Sequence, residues 1–550
     1  MPLLMALCVV IGILIGTFYA NHFSGNRLNI INSGSSRLSN LLHIIDDQYV
    51  DSVNIDELVD KAIPEILSEL DPHSVYISAK DVQLATDDLK GSFSGVGIEF
   101  NIRQDTLRIQ NVIKDGPADK AGLLAGDKVV SINGKAFVGK DVTNEEAMHR
   151  LKGPKDSKVK IGVKRYGEKG VKMFTVTRGD IAVKSVSAAY MLNDTTGYIR
   201  IKNFGERTYA EMLAALQTLN IRGADHLVID LRDNGGGILE SAVQMSNEFL
   251  PKNRLIVYTQ GRKSPRVNYR SDGKGSYQHI PMVVLINEGS ASAAEIFAGA
   301  MQDNDRATIV GRRSFGKGLV QQQIQFNDGS LIRLTIARYY TPSGRCIQKP
   351  FKPGDNADYE NDILTRYQHG EFFSQDSIKH EGPAYHTVNG RTVYGGGGIT
   401  PDIFVPEDTS KVTSYYKEAV MSGLILQYAF NYTDSNRKKL SSLGELKPLA
   451  NYLDHQNLVG DFVNFAEKNG LRRRNLMIMR SHSLLQDYLN SRIIYNILDE
   501  QAWLEYVNRD DAAVKQAVKV FHTPSLLLLK PKQKSQKQSD SLHKTTSQRR

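Results

Sequence analysis

The spacing of apolar and polar positions changes several times along the chain, and each change marks a unit. Residues 3–20 are an apolar run without a charge, at the lower end of the length that spans a bilayer and too long for an ordinary signal-peptide core. After a polar linker, residues 38–70 show helical spacing: Leu41, Leu42 and Ile45, then Leu58, Val59, Ala62, Ile66 and Leu67, with Pro64 as a kink or a helix start. The stretch 70–77 closes that unit. Its Asp71, His73 and Ser74 crowd around a proline, which predicts a turn with Asp71 bonding local backbone.

From Gly91 to about Arg178 the pattern is short strands and glycine turns: a loop at 95–98 entering a strand, a short helix and hairpin strand within 117–134, an amphipathic helix over 143–151 and an alternating strand over 158–163. Residues 180–408 read as an α/β core. Strands are predicted over 197–201, 226–230, 282–286 and 307–310, with a helix over 208–219. A second helix after Ser292 turns Ile296, Phe297 and Met301 inward. Beyond Ser410 the spacing is helical again, over 412–432, 462–468, 484–505 and 511–521, and the Lys/Gln/Ser-rich segment from Thr523 reads as a disordered tail.

Composition changes this picture little. At 550 residues the chain has room for three or more compact units. Of the formal charge of +9, +6 lies in residues 521–550, so the basic balance belongs to the tail and gives no support to a nucleic-acid role. The two cysteines, Cys8 and Cys346, lie in the apolar run and far into the soluble part, which makes a disulfide between them implausible and leaves no cysteine metal site. No small-x-small cleavage site follows the apolar run. The expectation is an uncleaved membrane anchor over residues 1–22, with a cleaved signal peptide as the alternative, and the rest of the chain on the extracytoplasmic, periplasmic side.

The candidate chemistry sits where a buried strand runs through small residues into a helix, Asn287-Glu-Gly-Ser-Ala-Ser-Ala-Ala-Glu295. A hydroxyl there, Ser290 or Ser292, lies among unpaired N–H groups at the positive end of a helix dipole. Downstream, Ser314-Phe-Gly-Lys-Gly-Leu-Val-Gln321 carries one lysine between two glycines. Such a lysine acts as a general base only if burial brings its pKa, near 10.4 in water, down by roughly two to three units. Gln321 is an uncharged group able to hold the amine without favouring its proton. A Ser–Lys dyad needs neither histidine nor aspartate.

These two stretches resemble the C-terminal processing (tail-specific) serine peptidases, in the order and spacing of that family. The resemblance implies an α/β, crotonase-like peptidase core with Ser292 as nucleophile, Lys317 as general base and Gln321 orienting the lysine. It departs from the family at Ala294, where a further serine is usual. The glycine run Arg232-Asp-Asn-Gly-Gly-Gly-Ile238 lacks the endings of a phosphate loop. In the resembled family such a loop supplies an oxyanion N–H; by position Gly236 is the first choice and Gly237 the alternate, with Ala293 as second donor. Asp303, about three helical turns beyond Ser292, is expected to be structural, and the glycines at 395–398 to let backbones cross. The stretch 117–134 resembles a PDZ domain. That implies capture of a peptide C-terminus as an added strand, with Val96, Gly97 and Ile98 cradling its carboxylate and the helix from Thr143 as the opposite wall.

The expected organisation is therefore a multidomain α/β chain. A helical N-terminal region (37–90) leads into a PDZ domain (91–179) placed before the peptidase core (180–408), with a helical C-terminal extension (409–522) and a basic tail (523–550). The expected partners are protein or peptide substrates with exposed C-termini and the membrane through the N-terminal segment; the mechanism requires no metal or cofactor. Whether the extension packs on the core, caps the entrance or makes a homodimer is left open by the sequence. The rival readings are a catalytically silent PDZ scaffold and a nucleotide enzyme using Gly235 to Gly237.

Overall fold

The computed structural model describes residues 34–528 apart from 104, 114, 141, 166–167, 381 and 524. The apolar run at 3–20, Cys8 and the tail from 529 onward lie outside the described residues. Among those described, no helix is long and apolar enough to cross a membrane.

Helices α1 (Gly34–Gln48) and α2 (Ile55–Ser68) open the chain. Asn54 caps α2 by accepting the N–H groups of Asp56 and Glu57, so the helix starts there and Pro64 lies inside it. Strand β1 (Val75–Ile77) and helix α3 (Val82–Lys90) follow. β2 (Ser92–Gly95) then leads into the middle unit: β3 (Ile98–Arg103), β4 (Thr106–Val112), α4 (Pro117–Ala121), β5 (Lys128–Ile132), β6 (Lys135–Ala136), α5 (Asn144–Leu151), β7 (Lys158–Lys164) and β8 (Lys172–Thr177). Its sheet runs β3-β4-β5-β7-β8, which leaves β3 at an edge. Leu107, Ile109, Val129, Val159, Ile161 and Ala147 make its core. β9 (Gly179–Ala182) returns beside β2 as a two-stranded stem.

The core follows: β10 (Val186–Met191), β11 (Thr196–Ile201), α6 (Thr208–Ile221), β12 (His226–Asp230), α7 (Leu239–Phe249), β13 (Leu255–Gln260), β14 (Val267–Arg270), β15 (Met282–Ile286), α8 (Ala293–Asp303), β16 (Thr308–Gly311), β17 (Leu319–Gln325) and β18 (Leu331–Tyr340). After two short helices, α9 (Ala357–Glu360) and α10 (Asp362–Gln368), and a hairpin of β19 (Ala384–His386) and β20 (Thr392–Tyr394), β21 (Ile403–Phe404) completes the principal sheet, ordered β10-β11-β12-β15-β16-β21 and parallel except at β10.

A largely parallel sheet has to be covered on both faces. Alternate residues of these strands point opposite ways. Ile199, Ile229, Val284 and Ile309 meet α6, α7 and α8, whereas Tyr198, Val228, Val283 and Val310 meet Leu504, Val514, Ala517 and Phe521 from the C-terminal extension. The extension therefore supplies the second cover of the core sheet.

It consists of α11 (Ser414–Met421), α12 (Leu424–Ser441), α13 (Leu446–Asp454), α14 (Leu458–Lys468), α15 (Asn475–Arg480), α16 (His482–Ile497), α17 (Glu500–Asn508) and α18 (Ala512–Phe521). Two helices expected as continuous are each broken in two, the first at Gly423 with φ +59°, the second between Ile497 and Glu500. At its far end the extension reaches the middle unit. The Tyr495 hydroxyl of α16 bonds Glu99 at 2.5 Å and Asn111 at 3.5 Å, on adjacent strands of that sheet.

The second core sheet, β1-β18-β13-β14 with β17 on β18, takes a strand from before the middle unit: Val75 pairs with Arg333 and Ile77 with Leu331. The N-terminal region is thus not separate from the core. The glycines at 395–398 permit backbone crossing as expected, with Gly396 and Gly398 donating to the carbonyls of Cys346 and Ile347 at 2.8 Å.

Candidate active site

β15 is fully buried and delivers the chain into 287–291, after which Ser292 stands at the mouth of α8. Ser292 has φ 55° and ψ −116°, a conformation that costs a non-glycine residue roughly 1–3 kcal/mol and persists only where its surroundings enforce it. Gly236 (φ +98°) is part of that enforcement. A Cβ at 236 would lie 2.7 Å from both Ser292 Cβ and Ala291 O. Gly236→Ala is therefore expected to push Ser292 off its position and to lower peptide cleavage more than about 100-fold, measured as kcat with folding checked by circular dichroism.

Ser290, the competing hydroxyl, is fully buried and committed. It donates to Leu231 O at 2.8 Å and accepts from the Asn287 N–H at 3.0 Å. That leaves Ser292 as the accessible serine of the pair.

Glu295, wholly buried one turn into α8, joins the two candidate loops. Its Oε2 accepts the amide N–H groups of both Ser292 and Lys317 at 2.9 Å. Oε1 accepts Gly316 N–H at 2.8 Å and the Ser314 hydroxyl at 2.5 Å. Burial pushes its carboxyl up to about 7, against the pull of these donors. On the other side the buried Tyr339 hydroxyl donates to the carbonyls of Ser292 and Lys317. The backbones of the two residues are thus fastened together by two side chains.

Lys317 is half-buried, and its Nζ donates to Gln321 Oε1 at 3.4 Å. Burial lowers its pKa, and the nearby Arg333 charge lowers it further, while Glu295 and Asp71 oppose the shift. The neutral fraction of this amine rises with pH through its pKa, so the acid limb of the rate profile reports it. Removing a neighbouring positive charge favours the protonated form. Arg333→Gln is accordingly expected to move the acid limb of kcat/KM to higher pH, as read from a pH–rate profile.

Gln321 is held in turn by its amide, which donates to the carbonyl of His73. The turn around that residue is the one expected from the sequence. Asp71 accepts the N–H groups of His73 and Ser74 at 2.9 and 3.0 Å, and the Thr335 hydroxyl of β18 at 3.1 Å. Burial and the Lys317 charge pull the His73 ring down to about 4, so it is neutral at pH 7. Its Nε2 lies 2.7 Å from the Tyr359 hydroxyl.

Of the expected oxyanion donors, the Ala293 and Gly237 N–H groups have no acceptor among the described residues, whereas the Gly236 N–H donates to Asn234 Oδ1 at 2.9 Å. The order of preference taken from position is therefore reversed: Gly237 has a donor to offer, and Gly236 serves by its lack of a side chain. Gly237 packs against Phe204, where an added Cβ would fall 2.2 Å from the carbonyl oxygen. A cleft of about 880 Å3 opens over Ser292, Lys317 and Gln321 and is lined by Ile296, Leu319 and Ile336. Asp303 is structural: it is buried and accepts from Ser343 Oγ at 2.7 Å and Arg345 at 2.8 Å.

In the middle unit the carbonyls of Val96 and Gly97 accept from Ala118 and Ile113, while their N–H groups have no acceptor among the described residues. Gly97 has φ +79°, and Ile98 opens the edge strand β3. The segment that follows α5 is tied to β2 just ahead of this loop, with Gly153 N–H donating to Ser94 O at 3.2 Å.

Residues 195–359 match peptidase family S41, residues 94–176 a PDZ domain and residues 415–499 a family of unknown function. A carboxy-terminal-processing protease of Bartonella bacilliformis is 39% identical over 319 residues, covering 57% of this chain and 72% of its own. The chain belongs to peptidase family S41. The S41 peptidase is also 35% identical to the carboxy-terminal processing protease CtpB of Bacillus subtilis, over 57% of this chain and 65% of that one. With a probable CtpA-like serine protease of Staphylococcus haemolyticus it shares 34%, over 55% of this chain and 60% of the relative. It is a serine-type peptidase with a PDZ domain ahead of the peptidase core.

Sequence reasoning missed three parts of the S41 site: Glu295 as the shared acceptor, Tyr339 as its counterpart and the His73 carbonyl behind Gln321. A carboxylate in the otherwise apolar stretch 293–301 is a signal in itself, since burying it demands donors. Tyr339 and His73 carried no such local signal.

Proposed function

We propose that this S41 peptidase is an endopeptidase that takes the C-terminal tails of protein substrates in its PDZ domain and cleaves upstream peptide bonds with the Ser292–Lys317 dyad. The observation that carries the reading is the single carboxylate oxygen of Glu295 accepting the amide hydrogens of both residues, with Ser290 already committed.

A substrate backbone enters the cleft and presents its carbonyl to Ser292 Oγ. Neutral Lys317, oriented by Gln321, takes the hydroxyl proton as the oxygen attacks. The Ala293 N–H and the Gly237 N–H stabilise the oxyanion, at roughly 3 kcal/mol for each such donor. Lys317 then gives its proton to the leaving amine; neutral again, it takes a proton from the water that attacks the acyl-enzyme and returns it to Ser292 Oγ as the acyl–oxygen bond breaks. The substrate's terminal carboxylate is held by the unpaired N–H groups of Val96 and Gly97, and its last residues pair along the open edge of β3. The apolar run 3–20 anchors the chain in the membrane with the peptidase on the extracytoplasmic side, a reading that membrane fractionation with protease protection tests.

Labelling the full chain with a fluorophosphonate serine probe and mapping the modified peptide tests the dyad. Modification is expected at Ser292. Labelling at Ser290, or none in protein that binds tail peptides, overturns the assignment.

A further inference from the structure

The loop that follows β12 carries Gly237 and is held from behind. Asp230, wholly buried, accepts Arg232 Nε and the Arg232 N–H, along with the Tyr198 hydroxyl at 2.7 Å and Arg200 at 2.9 Å. These cations keep its carboxyl far below the usual carboxylate range although burial opposes them. The same loop is stitched to the nucleophile loop. The Asp233 N–H donates to Asn287 Oδ1 at 2.8 Å, Asn287 Nδ2 to Asp233 Oδ1 at 2.7 Å, and the Ala291 N–H to Asn234 O at 2.9 Å.

Arg232 therefore fixes the loop through Asp230 with one edge of its guanidinium. The remaining nitrogen, Nη1, donates at 2.7 Å to Asp511 Oδ2. Asp511 is the N-cap of α18 in the C-terminal extension, and its two oxygens divide the work: Oδ1 accepts the Val514 N–H at 2.8 Å, and Oδ2 holds the arginine. The contact is backed by Asn508 Nδ2 donating to the Tyr190 hydroxyl at 2.7 Å and by the apolar packing of α18 on β12, β15 and β16. Behind the loop, a cleft of about 650 Å3 between extension and core is lined by Arg200, Arg232, Asp233, Trp503 and Asp511.

We propose that Asp511 is a positioning residue for hydrolysis: through Arg232 it sets the loop that carries the Gly237 oxyanion donor, which makes the C-terminal extension a working part of the active site. The inference rests on the hydrolytic reading above. Asp230 grips Nε and Nη2, so Asp511 supplies the remaining restraint on Nη1; without it the Arg232–Asp230 pair is held from the core side alone, and the loop that shares its backbone loses its tie to the extension. The loss falls on the transition state, because the loop donor is needed only once the carbonyl oxygen carries charge.

Asp511→Asn retains the helix cap but turns an N–H donor toward Arg232. Asp511→Ser caps through its hydroxyl and is too short to reach the guanidinium. Both are made in the full chain and assayed for kcat and KM on a fluorogenic peptide with an apolar tail, and for inhibition by a peptide aldehyde, whose hemiacetal oxyanion uses the same donors. In both variants kcat is expected to fall about five- to tenfold with KM unchanged and the aldehyde to bind more weakly by the same factor, while the melting temperature of the Asn variant stays near that of the wild type. Wild-type kcat and aldehyde affinity in both variants overturn the proposal, as does a fall in kcat that aldehyde binding does not follow. A wild-type chain that cleaves no peptide refutes the hydrolytic reading instead, and that result precedes any comparison of variants.

Discussion

Ser292→Ala is expected to reduce peptide hydrolysis to background, a loss of about 10^4-fold or more in kcat, while an apolar tail peptide binds with unchanged Kd. The two halves of that result come from different units. The PDZ groups proposed to hold the tail, the Val96 and Gly97 N–H groups, share no hydrogen bond with the loop around Ser292 among the described residues. Ser292 owes its position to backbone contacts: its N–H to Glu295, its carbonyl to Tyr339 and its Cβ against Gly236. Alanine keeps all three, so the variant loses the hydroxyl alone. Peptide cleavage kinetics and calorimetric titration of the tail peptide measure the two halves. Substantial cleavage by the folded variant rules out Ser292 as the nucleophile.

The second large effect concerns the base. Lys317→Met preserves the length and apolar stem of the side chain and is expected to lower kcat at least about 10^3-fold. Lys317→Arg is expected to be as damaging despite keeping the charge, because a guanidinium is not deprotonated in a protein. The comparison separates a lysine that must lose its proton from one that supplies a positive field. Burial and Arg333 push the amine toward the neutral state, and Glu295 pulls it back. An arginine variant with near wild-type kcat would exclude proton transfer by residue 317. Since Glu295 and Tyr339 hold the backbone of residue 317 and not its amine, both substitutions leave the loop in place.

Much of this architecture was legible because it is local. The buried run 282–286 followed by small residues gives β15 and the mouth of α8, and the glycines around Lys317 announce a close-packed loop. The Asp71 turn follows from its own residues. What was hidden depends on partners far along the chain. No periodicity announces that Val75 pairs with Arg333, that the His73 carbonyl receives Gln321 or that Tyr339 bridges two loops. In the extension, α13 was missed because Pro448 sits in its first turn, where a proline is tolerated. The short α15 is too brief to establish a period. The predicted helix over 412–432 ran through Gly423, whose left-handed φ ends one helix and begins another.

The placement of Val75 to Ile77 beside Leu331 to Arg333 of β18 has a consequence for biosynthesis. The PDZ domain interrupts the catalytic fold, so translation delivers the turn that supports Gln321 first and the residues it supports some 250 positions later. A chain still emerging from the ribosome has a complete tail-binding module before it has a cutting edge. The peptidase is thereby silent toward its neighbours, and toward its own nascent segments, until nearly the whole core has been made.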